Sequence, residues 1–458
     1  MHEFDALIVG AGQAGPSLSE RLARSGMRVA LFERHRLGGT CVNTGCIPTK
    51  TMIASSGVAH AARRAATYGV HVAGPVRVDL RQVKARKDEI SGRSRKSLTE
   101  WLGGTANLTL VYGHARFLEP GVMQVGSERY RAPRIFLNVG TRPLVPAFPN
   151  LDPSRCLTNA SLMQLEELPE HLVVVGGSYV GLEFGQMFLR FGSRVSIVEK
   201  SSRLVAREDA DVSEEIRRIL QDEGIDVHLD SDCIAFEPRT TGVAVRARCN
   251  DRDDIVEGSH ALIAVGRRPN TDDLGADRAG IELDARGYIE VDDELRASAP
   301  GVWALGDCNG RGAFTHTSYN DYEIVAANVL GTERRRVTDR ITAYALYIDP
   351  PLGRAGMTEA EARQSGRKVL LGRLPMSRVG RAIERGESLG FMKVLVDADS
   401  GQLLGTALLG LNGDEVVQAL LDAMYARMTA RALTHAMHIH PTVAEFIPTL
   451  LGTLQPLE

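Results

Sequence analysis

One pattern occurs twice and restricts the fold more than any other feature. DALIVGAGQAGPSLSERLARSGMRVALFE (5–33) runs as apolar strand, glycine turn, amphipathic helix and second strand, with Gly10, Gly12 and Gly15 in GxGxxG spacing. HLVVVGGSYVGLEFGQMFLRFGSRVSIVE (171–199) repeats the layout, with Gly176 and Gly181 at the matching positions and Ser178 in place of the middle glycine. Each unit closes on a glutamate, Glu33 and Glu199, at the same offset from its first glycine. In such a unit the first glycine permits the tight turn and the second lets backbone approach a pyrophosphate. The third brings helix and strand together, and the helix N-terminus supplies N–H groups and positive dipole. The acidic residue then accepts hydrogen bonds from ribose hydroxyls. Two units imply two dinucleotides.

The chain around them is long enough for about three domains at 458 residues. With 43% hydrophobic and 24% charged residues it has the balance of a globular protein, which excludes disorder and coiled coils. A net charge of −3 offers no field for nucleic acid or an anionic membrane, and neither is expected as a partner. No apolar run approaches the ~18 residues of a membrane span. MHEFDALIVG enters a strand without a signal-peptide pattern, so a cytoplasmic location is expected. The basic clusters Arg93, Arg95, Lys96 and Arg334–Arg336 lack interleaved aromatics and read as solvated faces. Pattern changes place boundaries near residues 150, 270 and 340.

Cys156, Cys233, Cys249 and Cys308 are scattered singly and are expected to be small buried hydrophobes. Cys41 and Cys46 differ, standing within GGTCVNTGCIPTK with the four residues VNTG between them. Cys46 opens a helix-like run with Pro48 near its first turn, where the dipole would stabilise a thiolate, and Lys50 falls on the same helix face. A redox disulfide is favoured over a half zinc site or two inert thiols, since zinc needs four ligands and no second cysteine pair exists. Near the C-terminus stand His435, His438 and His440, then Glu445. Surface histidines, a metal site and a carboxylate-oriented acid–base histidine all remain open on spacing alone.

Taken in order, the two fingerprints, CVNTGC, GRRPN, the late strand ending in Gly306–Asp307 and HPTVAE resemble the pyridine nucleotide–disulfide oxidoreductases. IFLNVGTRPLVPAFP, GDCNGRGAFTHTSYND, YIDPPLGRAGMTEAEA and HIHPTVAEFIPTLL look most like the mercuric-reductase-like and dihydrolipoamide-dehydrogenase-like branch. The resemblance implies an α/β fold of two Rossmann-like domains plus an α+β dimerisation domain. It divides the chain into an FAD domain at 1–150 and 271–340, an NAD(P) domain at 151–270 and an interface domain at 341–458.

The same resemblance implies that Gly10, Gly12, Gly15, Glu33, Lys50, Gly140 and Asp307 hold FAD. Gly176, Gly181 and Glu199 would hold the nicotinamide dinucleotide, with Tyr179 and Glu183 beside the nicotinamide and Glu183 paired to Lys50. Cys46 would face the flavin and Cys41 the substrate. His440, with Glu445, would serve as acid–base for the disulfide of the other subunit of a homodimer. Electrons would pass from NAD(P)H through FAD to Cys41–Cys46 and on to a small disulfide, with no metal cofactor. Glu199 would repel a 2′-phosphate, so NADH is expected over NADPH. Mercuric reductases typically end in a vicinal cysteine pair and lack the histidine. This chain ends LLGTLQPLE and carries His440, which counts against efficient Hg(II) reduction. Metal-ion or oxidant reduction by the same thiols, and electron donation to a protein partner, are the rival readings.

Overall fold

The computed structural model describes residues 1–148, 154–231, 234–237, 240–249 and 252–457. Its first sheet is five parallel strands in the order Val302–Ala304, Ile135–Leu137, Ala6–Val9, Val29–Glu33, Leu108–Tyr112. Every residue of Ala6–Val9 and Val29–Glu33 is buried, as expected for a parallel sheet covered on both faces. The second sheet has the same plan, in the order Cys156–Leu157, His260–Ile263, His171–Val175, Arg194–Val198, Asp226–His228.

In each sheet the strand entering the glycine turn is central. The chain crosses to one side for its next strand and supplies the other neighbour from far downstream. That arrangement opens a crevice beyond the carboxyl ends of the central strands, where ligands of open α/β sheets bind. A two-stranded ribbon, Thr141–Pro143 against Arg267–Pro269, connects the two units.

The C-terminal part forms a six-stranded antiparallel sheet ordered Ala343–Leu346, Leu352–Gly356, Leu403–Leu409, Phe391–Asp397, Val369–Pro375, Gln455–Pro456. Leu346, Leu352, Phe391 and Leu409 from this sheet share one core with Leu182 and Phe184 of the second unit and Met52 of helix Cys46–Arg64. Helix Tyr179–Phe191 is therefore buried on nearly all sides, packed on Cys46–Arg64 as well as on its own sheet. This shared core holds the cysteine helix, the second glycine turn and the C-terminal sheet in register.

Among the described residues no helix is long and apolar enough to cross a membrane. Cys308 is fully buried, and Cys156 is only partly so because it sits on an edge strand. Cys233 lies outside the described residues. The basic clusters are largely solvated, as expected: Arg93, Lys96 and Arg334 are exposed, Arg95 reaches Asn43 at 3.4 Å, and Arg334 pairs with Glu294 at 2.7 Å.

Candidate active site

Gly10 has φ +100°, and a Cβ there would lie 2.3 Å from the Asn138 carbonyl. A Cβ on Gly15 would lie 2.1 Å from the Gly10 carbonyl, so turn and helix close only on glycine. The second turn is built alike, with Gly176 at φ +113° and a Gly181 Cβ position 2.0 Å from the Gly176 carbonyl. Ser178 is the N-cap residue of helix Tyr179–Phe191, so the missing middle glycine does not disturb the turn.

The two glutamates occupy equivalent places. Glu33 accepts from the Ala11 N–H at 3.0 Å and the His35 N–H at 2.7 Å. Glu199 accepts from the backbone of Gly177 and, at 2.7 Å, of Ser201. Each carboxylate thus locks its glycine turn to its second strand.

A cavity of about 1050 Å³ runs from Gly10, Gly12 and Glu33 past Gly140 and Asp307 to Cys41, Cys46, Lys50, Tyr179 and Glu183. Cys41 lies in the short helix Gly39–Asn43, and Cys46 begins Cys46–Arg64, whose N-cap Gly45 offers no side-chain cap and whose Ile47 N–H bonds to the Cys41 sulfur. Both are free thiols, and Cys46 Sγ lies 3.2 Å from the Thr315 hydroxyl. The Cys46 thiol is pulled from 9.0 to about 6, chiefly by a hydrogen bond from Cys41. Thr315 and the Lys50 charge add to that pull against the cost of burial. The same hydrogen bond, with burial, pushes Cys41 well above the usual thiol range. Cys46 is therefore the more acidic of the two thiols.

One turn below Cys46, Lys50 Nζ makes two bonds to Glu183 at 2.7 and 2.9 Å and stands 4.5 Å above the Tyr347 ring. His440 Nδ1 meets the Glu445 carboxylate at 3.0 Å, the contact that the acid–base reading requires. The His440 side chain is 79% exposed and is not among those lining the cavity of its own chain.

The family model of the pyridine nucleotide-disulphide oxidoreductases matches residues 4–321, and that of their dimerisation domain matches 342–451. The chain belongs to this family. A probable pyridine nucleotide-disulfide oxidoreductase, RclA of Escherichia coli, is 33% identical over 99% of this chain and 100% of that protein. A Streptomyces lividans mercuric reductase is 31% identical over 96% of this chain and 94% of its own length. A Thermus scotoductus dihydrolipoyl dehydrogenase is 31% identical, over 97% and 96% respectively. Among solved structures, the Cu(II) complex of the HOCl-induced flavoprotein disulfide reductase RclA superposes with a TM-score of 0.90 at 32% identity, covering 99% of both chains.

The protein is thus an FAD-containing pyridine nucleotide–disulfide oxidoreductase, an α/β enzyme with two dinucleotide folds and a dimerisation domain. The chain fits its flavin. A Cβ on Gly39 would come within 2.8 Å of the Gly12 backbone, so the wall beside the first turn admits only bare backbone. The cavity then continues, lined by Asp307 and Gly140, to Lys50 and Cys46.

Several residues of this site carry no recognisable sequence signal. Asn138 receives the Gly15 N–H at 3.1 Å and donates to the Leu305 carbonyl at 2.9 Å, bridging the helix start to the late strand. Its position directly after an apolar strand and before Gly140 was the only available hint. Thr141 donates to Asp307 at 2.8 Å and accepts from Arg267 at 2.7 Å, giving GRRPN a place in the cavity wall. Thr315 comes from a segment 269 residues after Cys46. The carboxylates Asp209, Asp211 and Glu359 converge as metal ligands would, but Lys393 Nζ sits among them at 2.6–2.8 Å.

Proposed function

We propose that this enzyme is an NADH-dependent reductase of a small disulfide, working as a cytosolic homodimer. The observation that carries the reading is the unequal pair, Cys46 the more acidic thiol and Cys41 the less acidic one, at the end of a cavity that the Glu445-paired His440 of the same chain does not line. In this reading FAD is held by residues 1–150 and 271–340, at Gly10, Gly12, Gly15, Glu33, Lys50, Gly140 and Asp307. NADH is held by 151–270, at Gly176, Gly181 and Glu199, with Tyr179 and Glu183 beside the nicotinamide. Residues 341–458 form the interface.

FAD, when bound, supplies hydride acceptance from the nicotinamide and an electron pair for the disulfide. The remaining chemistry belongs to the chain. Before Cys41 can attack, a base must remove its proton. His440, oriented through Nδ1 by Glu445, presents a free Nε2 on an exposed surface, and a two-fold partner brings it to the thiol. The Cys41 sulfur then bonds to one substrate sulfur while the substrate S–S bond breaks. The departing thiolate takes the proton from His440. The Cys46 thiolate next attacks Cys41 Sγ, re-forming the protein disulfide and expelling the second thiolate, which is protonated from water. Two electrons and two protons thus convert one disulfide to two thiols.

Glu199 supports NADH because its charge, at the end of the second strand, opposes a 2′-phosphate. A second reading, reduction of a metal ion or reactive oxidant by the same thiols, is favoured by the solved relative being a Cu(II) complex of an HOCl-induced reductase.

The test is NADH oxidation by the flavin-loaded enzyme against lipoamide, glutathione disulfide and other small disulfides, with Hg(II), Cu(II) and quinones alongside. Turnover of a disulfide that vanishes in Cys41→Ser supports the first reading. Metal-ion turnover with every disulfide inert moves the assignment to the second. Acceptor turnover undiminished in both Cys41→Ser and Cys46→Ser sinks each of them.

A further inference from the structure

Tyr179 begins the helix after the second glycine turn, and its ring lines the cavity together with Glu183 and Cys46. Its hydroxyl does not face the cavity's solvent. It donates to Glu208 Oε1 at 3.1 Å, and the Tyr344 hydroxyl donates to the same oxygen at 2.7 Å. The Glu208 side chain is 0% exposed, and its other oxygen has no hydrogen-bond partner. Arg354 lies 3.6 Å from that oxygen, but it is committed to Asp209 at 2.8 Å and to the Met357 carbonyl at 3.1 Å. Two phenols therefore carry the hydrogen bonding of a buried carboxylate. Burial, with the Glu208 charge, pushes both phenols far above the usual tyrosine range, so each stays a donor.

The rings are constrained as well. Tyr179 stands edge-on to Phe314 at 6.0 Å and to Tyr344 at 5.7 Å, and those two stack on each other at 5.3 Å. Tyr344 comes from the C-terminal sheet and Phe314 from the segment leading into helix Thr315–Leu330. Swinging the Tyr179 ring away would leave a dry carboxylate with a single donor, which is costly.

We infer that Glu208 is a positioning residue: it tethers Tyr179, and through Tyr344 ties the orientation of that ring to the C-terminal domain. This rests on the reading of Tyr179 as the residue beside the nicotinamide. A tethered ring gives the nicotinamide a fixed wall, and small misplacements of a hydride donor cost rate steeply.

The experiment uses flavin-loaded enzyme. Flavin reduction by NADH is followed by rapid mixing, NAD⁺ dissociation by equilibrium titration, and folding by thermal midpoint. Glu208→Met, which removes the acceptor at similar length, and Tyr179→Phe should each slow flavin reduction by about 10- to 100-fold. Both should change the NAD⁺ dissociation constant in the same direction. The double variant should match either single one within about two-fold, because both changes cut one tether. Reduction of acceptor by the pre-reduced Glu208→Met enzyme should be unaffected, which a general loss of structure would not allow.

A folded Glu208→Met that behaves as wild type while Tyr179→Phe is impaired overturns the tether and leaves the place of Tyr179 standing. Where Glu208→Met does not fold, Tyr179→Phe decides: wild-type behaviour there, with Tyr179→Ala impaired, overturns the tether. Tyr179→Ala that reduces its flavin at the wild-type rate overturns the underlying reading instead.

Discussion

The unequal thiols allow a quantitative test at Cys46. In Cys41→Ser, Cys46 is left as a lone thiol, and the serine hydroxyl preserves a donor beside it. Its thiolate, next to oxidised flavin, is read as a long-wavelength charge-transfer absorbance that grows as pH rises through the thiol's midpoint. With Cys41 in place the Cys46 thiol is lowered from 9.0 to about 6, chiefly by that neighbour's hydrogen bond, and in the variant the serine hydroxyl takes over as donor. Thr315 is the most separable contributor, since its hydroxyl meets Cys46 Sγ at 3.2 Å. A hydrogen bond to a charged group contributes about 1.5–3 kcal/mol, and each pKa unit corresponds to about 1.4 kcal/mol. Thr315→Val in the Cys41→Ser background should therefore raise the midpoint by ~1–2 units above that of Cys41→Ser alone. The band at pH 6.5 should fade accordingly while flavin content stays the same. Lys50→Met should move the midpoint the same way, because it removes a cation and leaves Glu183 uncompensated. A parent midpoint near 9, or a Thr315→Val midpoint that does not move, would show that neither hydrogen bond nor helix terminus sets the chemistry of this thiol.

Four further outcomes are expected. Gly15→Val should purify without flavin, read as lost visible absorbance, because its Cβ would fall 2.1 Å from the Gly10 carbonyl. His440→Ala should lose about 10²–10⁴-fold in disulfide turnover with flavin reduction nearly unchanged. Hybrids of His440→Ala with Cys46→Ser subunits should regain part of the activity, and confirmed hybrid dimers as inactive as both parents would refute the shared site. Steady-state kinetics should favour NADH over NADPH, and Glu199→Ala should narrow the difference. Lys393→Met should destabilise the fold by about 3–5 kcal/mol in denaturant titration, since Asp209, Asp211 and Glu359 would lose the cation they surround.

What the sequence determined by itself is whatever local geometry enforces. The two glycine turns, their closing glutamates, the cysteine helix and the Lys50 position four residues on are all short-range arrangements, and each appears in the structure at the residues where the spacing placed it. The His440–Glu445 pairing is almost as local, although spacing alone left it as one of three readings.

Tertiary structure decided the rest, because the partners come from remote segments and obey no period. Thr315 reaches Cys46, Asn138 bridges the first helix to a late strand, and Lys393 turns an apparent metal site into an ion-pair cluster. Glu208 is a single acidic residue in a run of charged ones, and nothing in its neighbourhood separates it from Asp209 or Asp211. Its place between Tyr179 and Tyr344 exists only because one hydrophobic core packs the second dinucleotide unit against the C-terminal sheet. The free energy of that core is non-directional. It brings the surfaces together, and the side chains that then meet across them determine where charge, proton and ring are held.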